Sequence, residues 1–105
     1  METQHATIAM LTYQRNTLLA AVLPALLDQA GRSPVPTRVL VVDNDPAASA
    51  RAQATGGPVR YVVEQVPGVA AVRNRALDEA HAHDLLVFID DDEEPEPGWL
   101  AALVG

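Results

Sequence analysis

The sequence predicts an α/β fold, a Rossmann-like and mostly parallel four-stranded sheet with helices on both faces. Short apolar runs alternate with segments of helical periodicity, in the order β-α-β-α-β-α-β-α. Polar residues follow three of the four apolar runs abruptly, as they do at the carboxyl edge of a parallel sheet, where such folds bind ligands. The 105 residues, 49% of them hydrophobic, suffice for one small domain, which we predict over residues 1–105.

The first strand covers residues 7–12 and is nearly continuous in apolar residues. A helix follows, and Asn16 or Thr17 is its expected N-cap. Pro24 lies off the apolar stripe of this helix, so the bend it causes leaves the packed face intact. The stripe repeats at helical spacing and comprises Leu19, Val22, Leu23, Leu26 and Leu27.

The second strand, residues 38–42, ends at the polar segment 43–46. Aspartate accepts free amide hydrogens and proline fits the first helical position, so Asp45 and Pro46 predict a helix that runs to about Thr55. Residues 59–63 form the third strand, whose partly alternating pattern predicts a sheet edge.

The third helix opens after residues 67–68, and Arg73 falls within its apolar stripe. An unpaired buried charge is costly, so Arg73 needs an anionic partner at the carboxyl edge of the sheet. Two simpler interpretations are a side chain that lies along the surface and reaches water, and a salt bridge to Asp43. Asn74 and Arg75 are expected to be solvated. The stripe comprises Val69, Val72, Ala76, Leu77 and Ala80.

The fourth strand, residues 85–89, has the composition of a strand buried on both faces. Six of the fourteen acidic residues follow it within residues 90–96. Carboxylates packed this closely repel unless a cation intervenes, and clustered hard oxygen ligands suit Mg²⁺ or Mn²⁺. The sequence therefore predicts a divalent-metal site at this strand end, with a solvated acidic turn as the alternative.

Composition excludes several other classes of function. A net charge of -7 argues against a nucleic-acid partner. The chain has no cysteine, which excludes disulfides and thiolate sites, and no lysine, which both P-loop and phospho-receiver chemistry need. His81 and His83 point apart at helical spacing and are expected on the surface. Residues 1–6 carry no export signal and residues 18–27 are too short to span a bilayer, so the expected compartment is the cytoplasm.

Four segments together resemble the amino-terminal, nucleotide-sugar-binding half of family 2 glycosyltransferases, which have the GT-A fold. Residues 11–15, Leu-Thr-Tyr-Gln-Arg, are similar to the usual Pro-Thr-Tyr-Asn-Arg, and residues 42–44 match Val-Asp-Asn. Residues 68–76 are similar to the Gly-x-x-x-x-Arg-Asn-x-Gly segment. Residues 88–92 look like the Asp-x-Asp element, and Pro95, Gly98, Trp99 and Leu100 look like its following helix.

The resemblance implies a nucleotide-diphosphate sugar as ligand, a UDP-sugar by first choice, with Mn²⁺ or Mg²⁺ as cofactor. Tyr13 would stack on the base, and Asp43 would accept a hydrogen bond from base or ribose. Structural interpretations remain open for both, since Tyr13 can merely cover the strand end and Asp43 can cap the next turn. The implied nucleotide-binding residues are Thr12, Tyr13, Arg15, Asp43, Asn44, Arg73, Asp90 and Asp91, and the implied metal ligands are Asp92 and Asp90.

The resemblance also implies that the acceptor-binding half is absent. That half supplies the general base that an inverting hexosyltransferase requires, so the isolated chain is expected to bind nucleotide weakly at best and to lack turnover. We also expect a strand edge and an apolar face to be uncovered, which favours a homodimer. Many relatives are attached to membranes, and the sequence leaves this open for the full-length parent.

Two other functions remain as alternatives. A non-catalytic α/β interaction module predicts that replacing Asp92 and Arg73 leaves metal and nucleotide affinity unchanged. A nucleotidyltransferase-like domain would normally carry a glycine-rich basic loop after the first strand, and residues 13–19 contain no glycine. A third class, the haloacid-type hydrolases, would carry Asp-x-Asp after the first strand, and its position after the fourth strand here counts against that class.

Overall fold

A four-stranded parallel sheet forms the centre of the protein in a computed structural model that describes residues 5–54, 59–80, 85–90 and 98–104. The strand order is β3-β2-β1-β4, and every adjacent pair is parallel. The predicted α/β class and the edge position of the third strand are therefore confirmed. The elements in chain order are β1 (Ala6–Thr12), α1 (Asn16–Gly31), β2 (Thr37–Asp43), α2 (Arg51–Ala54), β3 (Val59–Val63), α3 (Val69–Glu79), β4 (Leu85–Asp90) and α4 (Trp99–Val104).

Helices cover both faces of the sheet, as predicted. Ile8 and Met10 of β1 lie in a core shared with α1, α2 and α4. Ala9, between them, lies in a second core on the opposite face, where Val72 and Ala76 of α3 pack. This division follows from the alternation of side chains along a strand. Both cores are apolar because a strand of a parallel sheet is covered on two sides.

The buried stripe of α1 agrees with the sequence prediction, and its predicted cap does not. Leu19, Val22, Leu23 and Leu26 are buried, Leu27 packs beside them, and Pro24 is exposed. Neither Asn16 nor Thr17 caps the helix, because Arg15 occupies the N-cap position and makes no side-chain cap bond. Asn16 is the first helical residue, and its Nδ2 donates instead to the Ser49 carbonyl at 3.0 Å.

The second helix is shorter than predicted. Asp45 and Pro46 begin a turn, and α2 itself covers only Arg51–Ala54. The Asp45 backbone amide donates to Oδ1 of Asp43 at 3.0 Å. This amide is therefore bonded to a side chain and takes no part in a helical hydrogen bond. Ala48 also has a φ of 57°, in the left-handed region, which interrupts helical geometry. The predicted stop at residues 56–58 lies outside the described residues.

The predicted apolar stripe of α3 is wrong in part. Val72 and Ala76 are buried, whereas Val69 is 66% and Leu77 is 58% exposed. The helix packs over β1 and β2 along a narrow line at i and i+4, so apolar residues on either side of that line face solvent. Arg73 lies outside the buried line and is exposed.

Arg75 is not solvated as predicted but ties α3 to β3. Its Nη1 donates to the Val63 carbonyl at 3.0 Å, and its Nε lies 3.4 Å from Oε1 of Glu79. Arg60 of β3 donates to the other carboxylate oxygen of Glu79, Oε2, at 2.9 Å. These two arginines, Arg60 first, hold the pKa of Glu79 below its usual value.

The fourth strand is not buried on both faces, contrary to its composition. It lies at the edge of the sheet that the described residues form, beside β1. Leu85, Leu86 and Val87 are half-buried, Phe88 is 36% exposed, and Ile89 is buried.

Trp99 packs on the α1-side core, as predicted for an anchor of the last helix. Among the described helices, none combines the length and apolar character that a membrane crossing requires.

Candidate functional site

A cavity of about 850 Å³ opens at the carboxyl edge of the sheet. Thr12 lies beside Asp43 in the sheet register, and Leu11 lies beside Asp90, so the ends of β1, β2 and β4 meet here. This is the edge at which open α/β sheets bind ligands. The lining residues are Leu11, Thr12, Tyr13, Arg15, Asn44, Pro46, Gln65, Pro67, Gly68, Val69, Val72, Arg73 and Asp90.

The loop between β1 and α1 supplies one wall of the cavity. Thr12 is the buried end of β1, and Tyr13 is 54% exposed on the cavity side. Gln14 has a φ of 53°, in the left-handed region that non-glycine residues rarely adopt. The chain therefore turns sharply between Tyr13 and Arg15, and both of these residues line the cavity.

Asn44 holds the opposite wall in place. Its Nδ2 donates to the carbonyls of Glu64 at 2.8 Å and Val66 at 2.9 Å, and its Oδ1 accepts the Gly68 amide at 3.1 Å. Its own amide donates to the Thr12 carbonyl at 2.9 Å. The Asn44 side chain thus holds the β3–α3 loop, while the Asn44 backbone holds the ends of β1 and β2 together, and this arrangement preorganises the cavity.

Gly68 connects this wall to α3. Its φ of 112° is a conformation that residues with a side chain rarely adopt. Its carbonyl accepts the Val72 amide at 3.2 Å, the first bond of the helix. Glycine is therefore required where the loop enters the helix beside the cavity.

Asp43 points into the protein instead of into the cavity. Its side chain is 0% exposed, and it is not among the lining residues. Oδ1 accepts the Asp45 amide at 3.0 Å, while Oδ2 accepts the Ala50 amide at 3.1 Å and the Tyr61 hydroxyl at 2.6 Å. In this arrangement the carboxylate holds the β2–α2 loop, as the structural interpretation of Asp43 expects.

Tyr61 is a partner of Asp43 that the sequence did not reveal. Burial, followed by the hydrogen bond to the Asp43 carboxylate, raises the pKa of Tyr61 well above its ordinary value of 10.0. The Cζ atom of Arg51 lies 5.2 Å from the centre of the Tyr61 ring. The alternating pattern of β3 marked an edge strand but gave no sign that one of its side chains would reach across to β2.

Arg73 lies at the cavity on the exposed side of α3, where its Cζ atom is 5.5 Å from the centre of the Phe88 ring. The described contact is a cation over an aromatic face, an attraction that operates within about 6 Å. The predicted position beside the carboxyl edge is therefore correct. Among the described residues its contact is the Phe88 ring instead of the predicted anion, and its exposure agrees with the interpretation of a side chain that reaches water.

Residues 7–105 match the sequence profile of Glycosyl transferase family 2. The chain belongs to this family. It is similar to the succinoglycan biosynthesis protein ExoM of Rhizobium meliloti (strain 1021), with 35% identity over 109 residues, which cover 98% of this chain and 35% of ExoM. The chain therefore spans about a third of the length of that relative. No solved structure matches it.

Six of the residues that the family 2 resemblance marked for nucleotide binding line one cavity. Asp90, the first residue of the acidic run, lines this cavity. Asp91 and Asp92 lie outside the described residues. Within the described ranges, no group of three or more His, Asp or Glu residues is placed to hold a metal ion. The six are Thr12, Tyr13, Arg15, Asn44, Arg73 and Asp90.

The cavity of this family 2 domain also includes residues that sequence reasoning missed. Gln65 and Pro67 line the wall that Asn44 holds, and Val69 lines the start of α3. The sequence predicted that Pro67 precedes a helix, but no local pattern around Pro67 indicated that it lines a cavity. Gln65 lies in a loop whose path depends on the distant Asn44 side chain, so local pattern carried no signal for it.

Proposed function

We propose that this chain is the nucleotide-diphosphate-sugar-binding portion of an inverting, metal-dependent glycosyltransferase of the hexosyltransferase type. Family membership supports the reaction class. The observation that carries the proposal is the cavity at the carboxyl edge of the sheet, where an exposed aromatic ring, two arginines and a carboxylate converge. An aromatic face suits a base, guanidinium groups suit phosphate oxygens, and a carboxylate suits a ribose hydroxyl or a cation.

The lining residues that the sequence marked for nucleotide binding each have a task in this proposal. Tyr13 stacks on the base, Thr12 and Arg15 fix the base or a phosphate, and Arg73 faces the diphosphate. Asn44 acts by holding the wall, because its amide group is already bonded to the β3–α3 loop. A UDP-sugar is the donor we propose to test first.

Asp43 contributes to nucleotide binding from beneath the cavity in this proposal. Its carboxylate accepts three hydrogen bonds from the protein, which fix the backbone that carries Asn44 and Pro46 into the cavity wall. A direct contact between the Asp43 carboxylate and the base would require these bonds to exchange.

The proposed cation is Mn²⁺ or Mg²⁺, held by Asp90 and Asp92 with Asp91 close to the ribose. The fit rests on Asp90, an exposed carboxylate on the cavity wall at the end of β4. Hard carboxylate oxygens are the ligands both ions prefer. When bound, such a cation supplies charge neutralisation for the leaving nucleoside diphosphate.

We propose that the chain binds donor without turnover. An inverting transfer needs a general base close to the acceptor hydroxyl. Among the cavity residues that the structure describes, Asp90 is the one carboxylate, and the proposal assigns it to the cation.

We also propose that the chain forms a homodimer through the β4 side of the domain. Leu77 is a large apolar residue exposed there, and Leu86 is half-buried. An edge strand beside an apolar surface favours association with a second copy.

A thermal-shift titration tests the proposed function. Uridine, guanosine and thymidine diphosphates are added with and without Mn²⁺, and we expect one of them to raise the melting temperature in a metal-dependent way. Asp90→Asn and Arg73→Ala should reduce this shift. Asp28→Asn and Arg32→Ala are matched controls, because those side chains form an exposed pair at the end of α1, and neither residue lines the cavity.

An interaction module makes the opposite forecast. In that case no nucleoside diphosphate stabilises the unaltered chain with or without Mn²⁺, and the cavity variants melt like the Asp28 and Arg32 controls. That result would contradict the proposed function.

A further inference from the structure

We propose that Phe88 is a positioning residue that holds the Arg73 guanidinium towards the diphosphate of the donor. This inference rests on the proposed function, because it concerns how the same cavity recognises phosphate. The ring lies on β4 and the guanidinium on α3, so the contact joins two separate elements, and Arg73 is the partner that lines the cavity.

Sheet register places the two residues on the same face. Phe88 lies opposite Ala9 of β1, and Ala9 belongs to the core that Val72 of α3 completes. Arg73 follows Val72 directly and extends from the exposed side of the helix. Because side chains alternate along a strand, Asp90 lies on the same face as Phe88, and it lines the cavity together with Arg73.

The exposure of Phe88 supports a role beyond packing. It is the chain's one phenylalanine, and this residue is 36% exposed on the outer strand, where Arg73 lies over its ring. A ring that served only the core would gain more from burial. Here its face is directed at a cation, at a distance where the attraction is effective.

The physical effect is a reduction of the conformational freedom of Arg73. An exposed arginine side chain loses considerable rotamer entropy when it binds a phosphate, and prior restriction lowers that loss. Attraction to the ring does not depend on an N–H hydrogen bond, so the guanidinium donors remain suited to phosphate oxygens. Phe88 therefore acts through Arg73 without contacting the nucleotide.

Calorimetric titration of the full chain with uridine diphosphate and with uridine, in Mn²⁺, tests this inference. We expect Phe88→Leu to weaken diphosphate binding about two- to fivefold, the size of an exposed cation–π contact, and to leave uridine binding unchanged. Arg73→Ala should weaken diphosphate binding by about tenfold or more. Adding Phe88→Leu to Arg73→Ala should cause no further loss of diphosphate affinity. Phe88→Tyr should bind uridine diphosphate as tightly as the unaltered chain does, because it keeps the aromatic ring.

Two further measurements separate this role from a structural one. Melting temperatures of the ligand-free variants report any loss of packing. Proton NMR of the unaltered chain should show the Arg73 side-chain signals shifted upfield by the ring, and Phe88→Leu should abolish that shift. Guanosine and thymidine diphosphates replace uridine diphosphate if either one stabilises the chain more strongly in the thermal-shift titration.

The outcomes distinguish two failures. If the unaltered chain binds no nucleoside diphosphate, the proposed function falls and this inference falls with it. If the unaltered chain binds one, and Phe88→Leu binds it equally well or loses affinity equally in the Arg73→Ala background, this inference alone is overturned. Absence of the upfield shift would also overturn it.

Discussion

At the scale of single residues, the buried Asp43 carboxylate shows how one side chain orders a loop. Its two oxygens accept hydrogen bonds from two backbone amides and from the Tyr61 hydroxyl. A carboxylate removed from water is costly unless its lone pairs are used, so each of these bonds matters to stability. Tyr61 contributes the shortest of the three.

Replacing Tyr61 with phenylalanine should destabilise the domain by about 1.5–3 kcal/mol, the usual contribution of a hydrogen bond to a charged group. Urea unfolding at neutral pH measures this loss. Tyr13→Phe is the matched control, because its ring is on the exposed cavity wall. Equal stability of Tyr61→Phe and the unaltered chain would show that the hydroxyl contributes nothing to the fold.

Alkaline pH should weaken the fold through Tyr61. Its folded pKa lies above the ordinary value of 10.0, so its contribution to the free energy of unfolding is complete below that pH. The contribution is then lost as the pH rises towards the folded pKa. Urea unfolding between about pH 9 and 11 should show a decline that is shallower in Tyr61→Phe. Parallel declines in the two proteins would rule out this linkage.

Gln14 carries backbone strain at the entrance of the cavity. Its φ of 53° lies where asparagine is several times more frequent than other side-chain-bearing residues. Gln14→Asn should therefore stabilise the domain by about 0.5–1 kcal/mol, a part of the ~1–2 kcal/mol cost of left-handed geometry. Chemical unfolding measures the gain, with Gln53→Asn in α2 as a control that should not stabilise. A loss of stability in Gln14→Asn would contradict the assigned strain.

At the scale of elements, the Asn44 side chain connects β2 to the loop before α3. Asn44→Ala removes three hydrogen bonds and should cost about 2 kcal/mol. Amide hydrogen exchange gives the specific readout, because the Gly68 N–H loses its acceptor and should exchange faster. Asn74→Ala, an exposed change on α3, should leave Gly68 exchange unaltered. Unchanged exchange in Asn44→Ala would show that other contacts fix the loop.

At the scale of the whole molecule, the β4 side governs association. Leu77 lies one helical turn beyond Arg73, on the side of α3 next to Phe88, and is largely exposed. Leu77→Lys should shift the proposed dimer towards monomer in sedimentation velocity, and its melting temperature should equal that of the unaltered chain diluted until it is monomeric. Leu18→Lys is the control, because Leu18 is an exposed apolar residue on α1. A monomeric unaltered chain at every concentration would contradict the proposed dimer.

The sequence predicted the order of elements and the edge of the sheet that carries the site, because both follow from local patterns. Periodicity of apolar residues distinguishes strand from helix, and parallel connections bring the ends of the strands together. Thr12, Tyr13, Arg15, Asn44, Arg73 and Asp90 accordingly share one cavity. The exposure of Val69 and Leu77 on α3 and the partial burial of β4 were not predicted. Composition shows how apolar a segment is, but it does not show which of its residues a neighbouring element covers.

What the sequence determined by itself was the alternation of strands and helices and the polar residues at the strand ends. Only the tertiary structure decided how those polar residues are used. It directed the Asp43 carboxylate inward to Tyr61, engaged the Asn44 amide with the β3–α3 loop, and brought Phe88 beneath Arg73. The physical reason is that hydrogen-bond partners and ring contacts between separate elements depend on how those elements pack in space, and residues distant along the chain leave no mark of that packing in any local pattern.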